Sequence, residues 1–222
     1  IPTQLDFALS QINATHSDSV IRHIKLYNGG NFFDPQAIPR EDHAAIAELV
    51  RHYQTVIVEN HPRMCRDDCV RFQDLLQQSN GGAQLEVALG VETVHPQVLE
   101  RLNKRMTVTD VERAAEFLRQ HDIAMRAFIL LRPPFLSEAE GIEGCVRSVE
   151  FAFEHGIDCC SIIPVRAGNG IMERLQRDGW FSPPSLEAVE ATFDETLKLV
   201  AGRGRVLIDG WNLTALQSST AN

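Results

Sequence analysis

The chain carries 222 residues, 44% of them hydrophobic, enough for one folded domain that buries roughly 70% of the surface its unfolded chain exposes. Its 21 Lys and Arg against 30 Asp and Glu leave a net charge of −9, which excludes a generally basic, phosphate-coating surface and leaves only a local basic groove open to nucleic acid. No apolar run reaches the roughly 18 residues of a membrane span, and the opening IPTQLDFALS lacks the basic and apolar regions of a secretory signal, so a cytoplasmic protein without a membrane partner is expected.

Short apolar or β-branched runs alternate with longer stretches of helical period, and each run ends in Gly, Pro, Asn or an acidic residue. In chain order the predicted strands are IRHIKLYN from Ile21, TVIVEN from Thr55, LEVALG from Leu85, IAMRAFILL from Ile123, IDCCSIIP from Ile157 and RVLID from Arg205. Between them, helices are predicted over Arg40–His52, Asp67–Gln78, Asp110–His121, Glu138–His155 and Ser185–Ala201. In the third of these Val111, Ala114, Ala115 and Leu118 share one face, with Thr109 or Asp110 as N-cap. The last starts after Pro183 and Pro184 and stops before Gly202. Strand starts recur every 30 to 48 residues, the room that a strand, a helix and a return loop need, so the sheet is expected to be parallel. A closed eight-stranded barrel takes about 250 residues, and six strands in 222 residues point to an open α/β architecture. One domain over residues 1–216 is expected, with QSSTAN at 217–222 as a loose tail.

In parallel α/β folds the chemistry sits at the carboxyl ends of the strands. Here those ends are polar: Asn28-Gly29-Gly30-Asn31, Glu59-Asn60-His61, Gly90-Val91-Glu92-Thr93, Arg132, Arg166 with Gly168-Asn169-Gly170, and Asp209. Carboxylates, amides and guanidinium groups are what a zwitterionic, hydroxyl-bearing ligand needs. Each has a plainer reading beside it. Gly29-Gly30 is either a turn that needs positive φ or a point of ligand approach. Glu59 and Glu92, at the ends of apolar runs, must be hydrogen-bonded, paired or facing a wet mouth. Arg132 and Arg166 either meet a ligand or pair with such carboxylates as a structural network. His61 and His95, each before a proline, read as loop histidines.

Five cysteines at low density favour reduced thiols over a disulfide scaffold. Cys65 and Cys69 have a C-x3-C spacing but no nearby third and fourth ligand, Cys145 lies in a predicted helix, and Cys159 and Cys160 point to opposite faces of a strand. None of the G-x-S-x-G, H-E-x-x-H or G-x-x-x-x-G-K-[ST] motifs occurs.

The stretch LEVALGVETVHPQVLERLNKRMTVTDVERAAEFLRQHDIAMRAFILLRPPFLSE resembles the middle of radical S-adenosylmethionine (SAM) proteins, in the branch with the elongator catalytic subunit and the archaeosine-forming tRNA lyase. The signal combines a strand ending G-x-E-[ST], an Asn-Lys a short distance on, a helix, and a strand ending in a basic residue and prolines. IKLYNGGNFFDPQAIP and VENHP are similar to the second and third strands of that fold and CCSIIPVRAGNG to the sixth, so the resemblance spans roughly residues 1 to 185. It implies a partial (β/α)6 TIM-like barrel, open on one side, with SAM on a four-iron, four-sulfur cluster as cofactors, cleaved to a 5′-deoxyadenosyl radical that takes a substrate hydrogen. By position, Asn28, Gly29 and Gly30 resemble the turn that meets the SAM amino group, Glu92 with Thr93 the ribose-facing strand end, and Arg132 the basic position for the carboxylate; Glu59 and Arg166 complete the implied cofactor-binding set. The family's C-x3-C-x2-C cluster triad is absent, and the chain starts at Ile1 rather than Met, so a carboxyl-terminal piece lacking the first strand and unable to assemble the cluster alone is expected.

The substrate stays open, with a tRNA base as one candidate that the net charge does not support. Two other readings stand beside it: a degenerate barrel acting as a binding module, and an ordinary (β/α) barrel enzyme with Glu59 and Glu92 as acid and base. A missing edge strand would favour dimerisation through the exposed sheet edge.

Overall fold

The computed structural model of the protein describes residues 1–15, 21–78 and 82–211; the tail expected at 217–222 lies outside them. Six strands among the described residues, β1 (His23–Leu26), β2 (Thr55–Asn60), β3 (Gln84–Glu92), β4 (Ala124–Leu131), β5 (Cys159–Pro164) and β6 (Arg205–Ile208), form one sheet in sequence order. The intervening helices are α1 (Pro2–Thr15), α2 (His43–Val50), α3 (Asp67–Gln77), α4 (Pro96–Arg101), α5 (Val108–Gln120), α6 (Glu138–Glu154), α7 (Ile171–Arg177) and α8 (Leu186–Val200). The α/β, parallel, partial-barrel class expected from the sequence is the class observed. The chain divides into two compact units, Ile1–Leu89 with Arg113–Met125, and Gly90–Glu112 with the residues from Arg126 onward.

In the first unit β1 pairs parallel with β2 from His23 opposite Thr55, and β2 with β3 from Thr55 opposite Gln84. Val56, Ile57 and Val58 are all buried although successive side chains face opposite sides, so both faces of β2 are covered and its sequence runs apolar without alternation. Ile46 and Val50 of α2 and Phe72 and Leu76 of α3 are buried, each burial contributing roughly 1.5–3 kcal/mol. The helix expected from Arg40 begins as a short 3-10 turn over Arg40–Asp42, because Pro39 ends an extended segment, and becomes α-helical at His43.

In the second unit β4 pairs parallel with β5, and β5 with β6. The buried side of α6 is built from small residues, Gly141, Gly144, Ser148 and Ala152 among them. Gly141 is required: a Cβ there would stand 2.9 Å from the Arg132 Cα. The start of α6 is fixed by a capping box, with the Ser137 hydroxyl accepting from Glu140 N and the Glu140 carboxylate accepting from Ser137 N at 2.8 Å. Ser185 caps α8 the same way, accepting from Ala188 N at 3.1 Å.

Three helices have no counterpart in the predicted set: α1, α4 and α7. β1 is shorter than the run from Ile21 that announced it, spanning His23–Leu26 with His23 and Lys25 exposed.

Candidate functional site

In the first unit the turn after β1 is strapped to the end of β2. Phe32 N donates to the Glu59 carbonyl at 2.9 Å, His61 N to Asn31 Oδ1 at 2.8 Å and Phe33 N to Asn60 Oδ1 at 3.4 Å. Asn60, buried, also donates from Nδ2 to Cys65 Sγ at 3.5 Å, so one amide side chain joins the turn to the loop after β2. Within the turn Asn28 Oδ1 accepts from Gly30 N at 3.3 Å and Gly29 takes φ +70°, which a side chain would resist. No atom stands within 4 Å of where a Cβ on Gly29 or Gly30 would lie, so the backbone there is open to approach. Beneath lies an aromatic cluster of Phe32, Phe33, Phe72 and His43, with ring centroids 4.8 to 6.0 Å apart. Burial holds the His43 imidazole pKa below its usual 6.5, and its Nε2 is buried without a hydrogen-bond partner. Glu59 is half-buried and engaged by a neighbour.

In the second unit β3 ends in a strained turn. Glu92 has φ +64° and Thr93 N donates to the Val91 carbonyl at 2.8 Å, a three-residue turn centred on a residue other than glycine. Buried Glu92 folds back over Gly90, where a Cβ would meet its Oε1 at 3.0 Å, and pairs with Lys104 Nζ at 2.7 Å. Buried Thr93 accepts from His95 N at 3.1 Å, and Val94 N donates to Ser148 Oγ of α6 at 3.1 Å. The loop is therefore pinned from both sides while its carboxylate is held by one half-exposed cation.

Arg132 and Arg166 are both clamped. Arg132, with φ +55°, sends Nη1 to Glu138 Oε2 at 3.0 Å and to the Pro183 carbonyl at 2.7 Å. Glu138 in turn accepts from Ser185 N at 2.8 Å and Ser185 Oγ at 3.0 Å, so one carboxylate locks a strand end to the cap of α8. Arg166 meets Asp209 Oδ2 at 3.3 Å and its carbonyl at 3.2 Å. Both arginines pair with carboxylates, but with Glu138 and Asp209, not with the strand-end Glu59 or Glu92. Each keeps a buried Nε without a partner. Sequence reasoning passed over Glu138 as an acceptor and Lys104 as the partner of Glu92, and also over Glu86 and Arg126, which are buried inside strands rather than at their ends.

All five cysteines are buried and reduced. Burial pushes the Cys145 thiol up to about 12 and raises Cys160 too, while Cys69 is raised by its hydrogen bond with Cys65 and by burial. Among the described residues no group of three or more His, Cys, Asp or Glu is arranged to hold a metal ion, so these thiols do not fit the ligand set of an iron–sulfur cluster. No described helix is long and apolar enough to cross a membrane.

No protein-family profile matches the chain. Among curated proteins it is 29% identical over 189 residues to archaeosine synthase subunit beta of Thermococcus kodakarensis, covering 82% of this chain and 56% of that one. It is 23% identical over 203 residues to an uncharacterised protein of Methanocaldococcus jannaschii, covering 89% and 54%. The chain thus spans about half the length of the curated relatives it matches. Among solved structures, Elp3 of Methanocaldococcus infernus superposes with a TM-score of 0.65 at 15% identity, over 94% of this chain and 52% of that one. Streptococcus suis SuiB bound to S-adenosylmethionine gives 0.63 at 13% identity, over 100% and 44%. HemN of Escherichia coli, a radical SAM enzyme, gives 0.53 at 17% identity, over 90% and 45%. The chain shares the fold of these structures, HemN among them a radical SAM enzyme, and is similar in sequence to archaeosine synthase subunit beta, in agreement with the resemblance read from its strand ends.

Proposed function

We propose that this chain supplies the SAM-holding part of a radical SAM enzyme whose cluster-binding cysteines lie outside it. The observation that carries the reading is the end of β3, where a buried carboxylate in a strained turn, Glu92, is followed by a buried hydroxyl, Thr93. A carboxylate accepts two hydroxyl donors of a ribose, and the left-handed backbone of Glu92, costing roughly 1–3 kcal/mol, turns this strand end away from the extended course of β3. Lys104 Nζ, 2.7 Å from Oε1, aims the Glu92 carboxylate. In this assignment the open backbone of Asn28, Gly29 and Gly30 meets the SAM amino group. Arg132, whose Nη1 meets Glu138 and the Pro183 carbonyl, is assigned to the SAM carboxylate, and Glu59 and Arg166 complete the proposed set by their sequence positions at the end of β2 and after β5. SAM bound to a reduced cluster is the family's source of a 5′-deoxyadenosyl radical, and this chain's residues bind and orient the SAM. An RNA base is the substrate class we assign, on the likeness to archaeosine synthase subunit beta.

The test is SAM binding to the full-length protein by equilibrium dialysis. Wild type binds; Glu92→Gln lowers the affinity tenfold or more with an unchanged melting temperature; Gly29→Val lowers it as well. Unchanged affinity in both variants overturns the assignment. Turnover that needs Glu92 but no SAM would favour the acid/base reading with Glu59 and Glu92 instead.

A further inference from the structure

Two loops of the second unit, the one after β4 and the one between α7 and α8, line a cavity of about 320 Å3 whose walls include Arg132, Phe135, Gly179, Trp180 and Phe181. The loops are tied by Phe135 N donating to the Trp180 carbonyl at 2.7 Å. Phe135 sits at φ +78°, a conformation that bulky residues avoid, and this displays its ring at the rim. Over that ring, 3.3 Å from its centroid, lies the guanidinium of Arg101, the last residue of α4; the same guanidinium is 5.7 Å from the Trp180 ring. Phe135 and Trp180 centroids are 6.3 Å apart. Trp180 is 54% exposed, an unusual place for the largest apolar side chain.

Arg101 is the second unusual feature. Arg132 and Arg166 of this unit pair with carboxylates, whereas Arg101 lies over two aromatic faces. A guanidinium stacked on a ring keeps its in-plane N–H donors directed outward, toward an anion. An exposed indole beside a pre-oriented guanidinium that forms no ion pair among the described residues is complementary to a planar ring with an anion a short distance away. A nucleotide has that composition, and an aromatic side chain of a peptide brings no anion with it.

We propose that Arg101, Phe135 and Trp180 form a stacking site for an unpaired base of single-stranded RNA, the indole taking the base and Arg101 its phosphate. The site deepens the substrate class proposed above and rests on that reading for its purpose. The test uses the full-length protein and the fluorescence anisotropy of a labelled 12-nucleotide single-stranded RNA, beside a 12-mer of identical backbone lacking bases. Trp180→Ala weakens RNA binding about tenfold, the range of one base–aromatic stack, and leaves the abasic strand unchanged; Trp180→Phe recovers most of the loss. In a Trp211→Phe background, which leaves Trp180 as the one indole of these 222 residues, adenosine monophosphate quenches the part of the fluorescence that Trp180→Ala removes. Equal RNA affinity in Trp180→Ala, equal weakening of RNA and abasic strand, or displacement of the RNA by a tryptophan-bearing peptide without phosphate overturns the proposal. SAM affinity is measured in the same variants: loss of RNA stacking in a protein that never bound SAM would sink the proposed function and leave the stacking site standing.

Discussion

The strand ends of the two units are supported by different physics. In the first, the turn from Asn28 to Phe33 offers backbone and rests on an apolar floor of Phe32, Phe33, Phe72 and His43, held by hydrogen bonds to neutral groups. In the second, Glu92, Arg132 and Arg166 offer charge, and each is gripped by an opposite charge: Lys104, Glu138 and Asp209. An apolar floor fixes a turn by volume, indifferent to salt, whereas ion-paired side chains are fixed by partners whose grip salt and substitution can loosen. Removing volume from the first floor and removing charge from the second clamps should therefore give different signatures.

The largest effect is expected from Phe72→Ala. Phe72 is fully buried against both phenylalanines of the turn, so the loss of transfer energy plus the cavity should cost about 3–5 kcal/mol. Urea unfolding should show this loss unchanged between low and high salt; a loss that shrinks with salt would contradict an apolar support. Next comes Glu138→Ala, which deprives Arg132 of its carboxylate and Ser185 of two acceptors. A fully buried pair broken on one side costs about 3–5 kcal/mol; because Glu138 is 38% exposed, about 2 kcal/mol is expected, together with a salt-sensitive difference from wild type.

How much of this contrast the sequence discloses follows from where each signal is stored. The strands of β2 to β5 are legible because burial on both faces forces continuous apolar runs, and the strand-end positions Glu92 and Arg132 stand out because a charge closes each run. The helices α4 and α7, of six and seven residues, are too short for their periodicity to register, although Pro96 after the capping His95 marks the first. Partner choice is the least legible. Arg132 meets Glu138 across a Pro-Pro loop and Pro183 from a distant segment, and no local spacing encodes that. Glu86 and Arg126 went unnoticed because a single polar residue inside an apolar strand looks the same whether it faces a partner or a mouth.

The floor of the first unit also carries a pH signature. His43 is buried, lies against Phe32, Phe33 and Phe72, and has Asp68, Arg40, Asp42 and Glu41 as its charged surroundings; burial outweighs the acids and lowers its pKa. A histidine whose folded pKa lies below 6.5 takes up its proton more readily when unfolded, so its effect is nil above that pH and destabilising as pH falls below it. The stability loss has a limiting slope of about 1.4 kcal/mol per pH unit. Thermal melts from pH 7.5 to 5 in wild type and His43→Leu should differ in slope only below pH 6.5; parallel curves would show that the ring is not neutral in the floor.

The smallest expected effect on stability is the most telling for the site. Lys104 is 46% exposed, so Lys104→Ala should cost less than about 1 kcal/mol. The carboxylate it releases, however, sits buried in a strained turn, where the 2.7 Å contact with Lys104 orients it. Loss of orientation should therefore appear in SAM affinity and not in the melting temperature, and Lys104→Arg, which keeps the charge but changes the reach, should recover only part of it. A variant that loses stability and SAM affinity together would make Lys104 a structural clamp like Glu138 and Asp209; a variant that loses affinity alone makes it the cation that positions Glu92 for the ligand.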